Sequence, residues 1–208
     1  GNKDILVAGS LSHRLPIADG DTKSNPNIKI STDNLYKCCV ELASFLTDNG
    51  VDFILLEMMY DPKRMEAVFN AAKETKAPIW AGFSLRRGAN GKIVSLTDHA
   101  EIPFLDLIEI AQNYRIDVMG IMHTSVDLIS EAVKILRSSY KGPIMVYPDS
   151  GGWLSPNWDF STVISPEWFS QIGLSWFNQG VQIVGGCCGL SPDHIKGLVE
   201  GIKLQDCK

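Results

Sequence analysis

Two adjacent cysteines, Cys187 and Cys188, stand in a glycine-lined segment, residues 184–189 (VGGCCG), between a short β-rich run and a helix that starts after Ser191. The positive end of that helix favours thiolate over thiol. Thiolates are soft ligands suited to Zn²⁺, and a catalytic zinc site commonly has three protein ligands and an open position. The pair therefore predicts two zinc ligands. The alternatives are two buried cysteines acting as small apolar residues, or a redox pair that forms a strained vicinal disulfide.

A third ligand has to come from another strand end, and His123 follows the apolar run 116–121. If the run 181–184 is the eighth strand of a barrel, the run 116–121 is the sixth. Alternate strands of a barrel contribute side chains to the same interior layer, so His123 is expected to face the cysteine pair. The alternative is a structural histidine that is satisfied within the fold.

The chain alternates β-rich runs with segments of helical period, which gives six strand–helix units. The predicted strands are residues 4–9, 52–57, 78–84, 116–121, 143–147 and 181–184, and the predicted helices are residues 35–49, 62–75, 103–114, 126–138, 166–178 and 192–203. Asp61, Ser165 and Ser191 each place a capping oxygen directly before a proline, which indicates three helix starts.

Continuous apolar strands with crossover helices between them indicate a parallel sheet, either doubly wound or closed as a barrel. The pattern alone slightly favours the doubly wound sheet, since a barrel typically needs about 250 residues. Three long loops, residues 11–33, 85–101 and 148–164, follow strand carboxyl ends, where α/β folds build their active sites. No domain boundary is visible, so residues 1–208 are predicted to form a single domain.

Composition excludes several classes of partner. The 208 residues are 45% hydrophobic and 21% charged, and the net charge of −5 provides no basic field for nucleic acid. The longest apolar stretch, near residues 51–60, is too short to span a membrane and is interrupted by acidic residues. Five cysteines, two adjacent pairs among them, are a poor layout for disulfides, so a reducing cytoplasmic location is predicted.

The segment Gly185-Gly186-Cys187-Cys188-Gly189 resembles the zinc-binding signature of homocysteine S-methyltransferases, a family that includes the betaine- and S-methylmethionine-dependent enzymes. Residues 7–11, 51–57, 79–84 and 147–151 resemble successive strand ends of that family. The resemblance implies an α/β fold, a parallel (β/α)8 TIM-type barrel of which about six βα units are present. It also implies Zn²⁺ as cofactor, and transfer of a methyl group from a small onium-type donor to the thiol of homocysteine, giving methionine.

The same resemblance implies the roles of individual residues. Zinc is expected on His123, Cys187 and Cys188, and Glu57 is expected to bind the amino group of homocysteine. The remaining residues expected to line the substrate pocket are Ser10, Ser84, Tyr147 and Asp149.

Two departures from the family pattern bear on these expectations. The family's opening strand, with its acidic-Gly motif, has no counterpart before Asn2, so the barrel is expected to lack its first two βα units or to receive them from elsewhere. His123 stands where the family usually has a cysteine, which makes the zinc site formally neutral. The alternative function is therefore a catalytically silent homologue that serves as a binding or scaffold module. Association into a homo-oligomer stays open.

The other cysteines and histidines receive no role in the chemistry. Cys38 and Cys39 are interpreted as packing residues of a helix, and Cys207 as a tail thiol. His13, His99 and His194 show no partner pattern in the sequence.

Overall fold

Strands and helices alternate along the chain in a computed structural model, which describes residues 5–14, 28–97, 100–154 and 157–206. The strands are β1 (Ala8–Ser12), β2 (Phe53–Met59), β3 (Ile79–Phe83), β4 (Leu85–Arg87), β5 (Ile93–Ser95), β6 (Val118–Ser125), β7 (Ile144–Asp149), β8 (Gly152–Leu154), β9 (Asn157–Asp159) and β10 (Ile183–Val184). The helices are α1 (Thr32–Asp48), α2 (Pro62–Lys73), α3 (Phe104–Gln112), α4 (Ile129–Ser139), α5 (Pro166–Asn178) and α6 (Pro192–Asp206), with a 3₁₀ turn at Val126–Leu128 before α4. His99 and Cys207 lie outside the described residues.

Six strands form one parallel sheet in the order β1-β2-β3-β6-β7-β10, which is also their order in the chain. A doubly wound sheet reverses its strand order at a switch point, whereas a barrel adds each new strand on the same side. The unbroken order, with a helix after every strand, is the barrel arrangement. The prediction of a TIM-type fold with six βα units is confirmed.

The helices start where side chains can accept from their first backbone N–H groups. Asp61 accepts from the backbone of Arg64, and Ser165 from that of Trp168; each capping residue is followed by a proline in the first turn. These two caps confirm the predicted starts of α2 and α5. Strand ends were less well predicted, because β1 continues to Ser12 and β6 to Ser125, beyond the apolar runs that marked them.

Side-chain burial alternates along the strands and distinguishes the two faces of the sheet. In β2, Ile54 and Leu56 are fully buried, whereas Leu55 and Glu57 between them are partly exposed. Successive strand side chains point to opposite faces, so Ile54 and Leu56 pack against the helices while Glu57 lies on the inner face. The main core fills the space between the sheet and the helices.

Two of the three long loops contain hairpins that sequence patterning missed. Strands β4 and β5 pair antiparallel directly after β3, and β8 and β9 pair antiparallel directly after β7. Each hairpin strand has three residues, too few for an alternating pattern to stand out from loop composition. Both hairpins stand at the carboxyl ends of parallel strands, beside the candidate site.

The two strands that carry the predicted site residues Glu57 and His123 are irregular near those residues. The register of β2 against β3 shifts between Leu56 and Met59, and that of β6 against β7 shifts between Met122 and Ser125. Each shift contains a non-glycine residue in the left-handed region, Met58 at φ 59° and His123 at φ 41°. Bulges re-aim side chains at the rims of sheets, and such backbone strain is concentrated at functional sites.

Across the described residues, no helix is both long and apolar enough to cross a membrane.

Candidate metal centre and substrate pocket

The turn that carries the cysteine pair is fastened to the end of β7 by backbone hydrogen bonds. Gly185 N donates to Val146 O (2.8 Å), Cys187 N donates to Pro148 O (2.8 Å), and Ser150 N donates to Cys188 O (2.9 Å). Both thiols are thereby held at the carboxyl-terminal rim of the sheet. Position 189 requires glycine, because its φ is +79° and a Cβ atom there would lie 1.9 Å from the carbonyl oxygen of Ser150.

His123, Cys187 and Cys188 converge on one point. The Nδ1 atom of His123 lies 3.8 Å from Cys187 Sγ and 3.7 Å from Cys188 Sγ, and the two sulfurs are 3.8 Å apart. Tetrahedral zinc, with bonds of about 2.3 Å to sulfur and about 2.05 Å to nitrogen, separates two sulfurs by about 3.8 Å and a nitrogen from a sulfur by about 3.6 Å. The three side chains therefore fit a zinc ion. They form the one metal-binding group of this kind found among the described residues.

The irregular end of β6 directs the imidazole toward the sulfurs, and Thr124 holds that end in place. The Thr124 hydroxyl donates to Met122 O (2.9 Å) and accepts from Leu85 N (2.9 Å). Thr124 is buried, so the bulge is held by groups shielded from water. The left-handed φ of His123 is thus maintained by bonds to the neighbouring segments and not by the residue's own preference.

The two thiols differ in their acidity. A hydrogen bond from the Cys187 thiol, joined by a contact with His123, lowers the pKa of Cys188. The same hydrogen bond, together with burial, raises the pKa of Cys187. The Cys188 proton is therefore released more readily than that of Cys187, and metal binding requires that both thiols lose their protons.

Glu57 lies on the same rim and is held by two hydroxyl groups. Ser10 Oγ donates to Glu57 Oε2, and the phenol of Tyr147 donates to Glu57 Oε1 at 3.4 Å. Burial, followed by the nearby Glu57 and Cys187 groups, raises the pKa of Tyr147 well above its usual value. Tyr147 is thus a neutral donor to Glu57 at neutral pH.

The metal-binding group and Glu57 share one apolar wall. Met58, Tyr60 and Met122 form a small buried cluster that packs against both Tyr147 and Cys187. Tyr147 therefore contacts the carboxylate at its hydroxyl and the wall beside the thiols with its ring. A ligand with a cationic end and a thiol end, joined by a short apolar chain, would match this arrangement.

Not all predicted pocket residues face this space. Ser84 is fully buried, and its hydroxyl donates to Met122 O at 3.1 Å and also contacts the Met58 and Met122 sulfurs. All its described contacts are with protein, so it supports the apolar wall from behind.

Asp149, in contrast, lies beside the imidazole, with Oδ2 at 3.7 Å from His123 Nδ1. Burial raises the pKa of Asp149, and His123 partly opposes the shift.

Two histidines without a predicted partner have defined structural roles. His13 is buried, and its Nε2 accepts from the backbone N–H groups of Tyr60 (3.2 Å) and Asp61 (3.4 Å), so it joins the end of β1 to the start of α2. Burial lowers the pKa of His13 to about 4. His194 accepts from Ser191 N at 3.0 Å and contacts Ile164 O through Nε2. The contact with Ser191 N has the spacing of a capping box with His in place of Glu, so the sequence could have revealed this contact of His194.

The interpretation of the adjacent cysteines in α1 holds for one of them. Cys39 is buried against the core, but Cys38 is exposed, so the prediction that both are packing residues is wrong for Cys38. Neighbouring helical residues point about 100° apart, and both cannot face the same core.

The sequence and the fold were compared with known proteins. Residues 2–202 match the family model of homocysteine S-methyltransferase. The selenocysteine methyltransferase of Astragalus bisulcatus is 28% identical over 206 residues, which cover 95% of this chain and 59% of that protein. The homocysteine S-methyltransferase YbgG of Bacillus subtilis (strain 168) is 25% identical over 199 residues, covering 94% and 61%. The chain thus spans about three fifths of the length of these relatives.

The fold comparison agrees. The homocysteine methyltransferase MmuM from Escherichia coli, in its apo form, superposes with a TM-score of 0.69 at 21% identity, covering 95% of this chain and 62% of that one. Its metallated form superposes with a TM-score of 0.64, covering 83% and 52%. At this identity the likeness concerns the fold, a TIM-type barrel. Together with the family match over residues 2–202, it shows that the chain belongs to the homocysteine S-methyltransferase family.

Proposed function

We propose that the protein, with its barrel complete, transfers a methyl group from a small onium donor to the thiol of homocysteine, giving methionine. The observation that carries this proposal is the triangle of His123, Cys187 and Cys188, whose sides of 3.7–3.8 Å fit zinc. Bound zinc lowers the pKa of a coordinated thiol, so that a thiolate is present at neutral pH.

The residues around the triangle account for binding of the amino acid. The Glu57 carboxylate is proposed to pair with the substrate's ammonium group, and Ser10 and Tyr147 fix its two oxygens. The wall of Met58, Tyr60 and Met122 would contact the methylene groups and exclude water. Held at both ends, the sulfur is oriented toward a methyl carbon, and such alignment supplies much of the rate enhancement in a displacement.

Two assays on the protein with all its barrel units test this proposal. We expect about one zinc per chain, and methionine formed from homocysteine with S-methylmethionine or betaine as donor. Because a relative is named a selenocysteine methyltransferase, selenocysteine belongs among the acceptors tested. A protein that binds zinc and homocysteine but transfers no methyl group from any donor would instead be a silent homologue. A protein that binds no zinc even after reconstitution would contradict the metal site itself.

We also propose that two further βα units complete the barrel between β10 and β1. In the described residues each of these strands has a neighbour on one side only. Apolar side chains are exposed near both edges: Ile5, Leu6 and Val7 before β1, Leu42 and Phe45 on α1, and Ile195 and Val199 on α6. Open strand edges and exposed apolar faces favour association with another segment.

Residues 1–208 alone are therefore expected to bind a hydrophobic dye and to self-associate. Production as one chain with the two preceding βα units of a relative should abolish both properties. A stable dimer of the 208-residue chain that binds no dye would show instead that a second copy covers the edges.

We further propose a reducing compartment, the cytoplasm, for this activity. Cys187 and Cys188 are free thiols and bind zinc only in the reduced state. Thiol titration of freshly purified protein should find both reduced, and an oxidised pair would contradict this location.

A further inference from the structure

A groove lies at the end of the barrel opposite the metal-binding group, at the amino-terminal ends of β3 and β6. Its walls come from these strand starts and from the carboxyl-terminal ends of α2 and α3, and its volume is about 390 Å³. Small-molecule sites in proteins have volumes of about 300–1,000 Å³. Because β3 and β6 are the two central strands of the sheet, further βα units between β10 and β1 would leave this groove open.

The inner lining of the groove is apolar. Phe69 and Ile79 both line it, and both are buried side chains of the main core. The rings of Phe69 and Tyr114 pack with their centroids 5.0 Å apart, and the Tyr114 hydroxyl accepts from Asn70 Nδ2 at 3.3 Å. The groove therefore has an apolar side that is fixed by packing between α2 and the segment after α3.

The outer lining of the groove is cationic. Lys73, Lys76 and Arg115 line it together with one carboxylate, Asp117. Asp117 Oδ2 accepts from Ile79 N at 2.9 Å, so this carboxylate joins the starts of β3 and β6. Arg115 Nε lies 4.0 Å from Asp117 Oδ1, but the Arg115 side chain is 94% exposed, and such pairs contribute little. In the described part of the chain, the ammonium groups of Lys73 and Lys76 have neither an ion pair nor a hydrogen bond.

These cations are not needed to close the two helices. The last carbonyl groups of α2 accept from the backbone N–H groups of Glu74 and Thr75, and those of α3 from Asn113 and Tyr114, at 3.0–3.2 Å. A lysine in the last turn, such as Lys73, also interacts favourably with the helix dipole, but this effect falls off within that turn. Helix capping therefore does not explain the cations that lie beyond the helix ends.

The charges of the groove are thus unbalanced, with three cations and one carboxylate in its lining. Glu74, which follows Lys73 in the sequence, does not line the groove and accepts from the Tyr36 hydroxyl on α1 at 3.5 Å. A concave surface with charges of one sign concentrates ions of the opposite sign, and an anion there would relieve the repulsion among the cations.

We propose that this groove binds a small organic anion. Its phosphate or carboxylate group would meet the three cations, and a compact apolar part would contact the side formed by Phe69 and Ile79. The site shares no residue with the proposed methyl transfer, so either proposal can fail without the other.

The test uses the protein with its barrel complete and isothermal titration calorimetry. The probes are phenyl phosphate and benzoate, which combine an anion with an apolar ring, inorganic phosphate, which lacks the ring, and benzyl alcohol, which lacks the charge. Lys76→Gln and Arg115→Gln each remove one cation of the groove. Lys63→Gln is the matched control, because Lys63 is an exposed lysine of α2 that does not line the groove.

We expect one molecule of phenyl phosphate or benzoate per chain, with higher affinity than either inorganic phosphate or benzyl alcohol. The tighter of the two ring compounds identifies the anionic group. Lys76→Gln and Arg115→Gln should each weaken this binding by about three- to tenfold, whereas Lys63→Gln should stay within about twofold of the parent. Zinc affinity should be the same in all four proteins, because the groove lies at the opposite end of the barrel.

Two results would overturn the proposal. If neither ring compound binds the parent, the groove is not a site for organic anions. If Lys63→Gln weakens binding as much as Lys76→Gln, the anions are attracted by the general charge of the surface and not by the groove. Neither result depends on zinc binding or methyl transfer, so failure here leaves the proposed function standing.

Discussion

Replacing Gly189 by alanine tests how firmly the cysteine turn must be held for the site to exist. The φ of +79° costs an alanine about 1–2 kcal/mol relative to glycine. The added Cβ would also lie 1.9 Å from the Ser150 carbonyl oxygen, so the turn and the end of β7 must separate by about 1.5 Å. Such overlap adds about 1–3 kcal/mol, and we expect the free energy of unfolding to fall by about 2–5 kcal/mol.

The displacement acts on the site as well as on stability. Ser150 N bonds to the carbonyl oxygen of Cys188, so moving this contact moves the neighbouring thiol. Metal sites tolerate errors of only about 0.2 Å in ligand position, and zinc affinity is therefore expected to fall by about 10- to 100-fold. Chelator competition measures the affinity, and urea unfolding of the metal-free protein measures the stability.

Gly91 and Gly50 provide matched controls, because their φ values of +77° and +86° are similar but no atom lies within 4 Å of a Cβ at either position. Alanine at these sites should cost only the backbone strain of about 1–2 kcal/mol and leave zinc affinity unchanged. If Gly189→Ala behaved like the controls in both measurements, the close contact with Ser150 would not position the thiols.

Three further changes separate the roles of the remaining residues. His123→Cys should retain zinc and methyl transfer while His123→Ala loses both; zinc binding by the alanine variant at parental affinity would remove His123 from the ligand set. Glu57→Gln should raise the KM for homocysteine by about 10- to 100-fold, the loss of a charge-assisted hydrogen bond of about 1.5–3 kcal/mol, with zinc content unchanged; equal loss of zinc would assign Glu57 a structural role. For His13, the folded pKa of about 4 lies below the unfolded value of 6.5. Its contribution to the free energy of unfolding is therefore complete above pH 6.5 and is lost as the pH falls toward 4. This loss amounts to about 3 kcal/mol in all. Urea unfolding from pH 7.5 to 4 should therefore show a shallower decline for His13→Gln, and parallel curves would contradict this account.

The sequence predicted the parts of the fold that depend on composition and spacing. Periodicity placed six βα units, and the proline-flanked caps at Asp61 and Ser165 marked two helix starts correctly. Counting strands brought His123 to the cysteine pair, because alternate barrel strands share an interior layer. The glycines around Cys187 and Cys188 indicated a tight turn before any coordinates were considered.

The features that sequence reasoning missed arise from tertiary contacts. The bulges at Met58 and His123 depend on register shifts between neighbouring strands, which no single strand encodes. Ser84 stands at a strand end like the exposed site residues, yet the Met58 and Met122 side chains close over it. The role of His13 depends on backbone N–H groups 47 and 48 residues away, so no local pattern could reveal it.

The sheet order has a consequence for how the protein opens. Strand β10 pairs with β7 through two residues and has no described neighbour on its other side, yet its end carries Cys187 and Cys188. Sub-global opening in proteins starts where few contacts hold a segment. Helix α6 is anchored by its packing on α5, where Ser170 Oγ donates to Gly197 O at 2.9 Å, so β10 and the turn after it are expected to open first. Their detachment would remove two ligand groups from His123 in a single event. Any ion that joins the 64-residue span between His123 and Cys187 therefore stabilises this segment by RT ln(1 + [L]/Kd), and amide hydrogen exchange at Gly185 and Cys187 should slow in proportion to the free metal concentration.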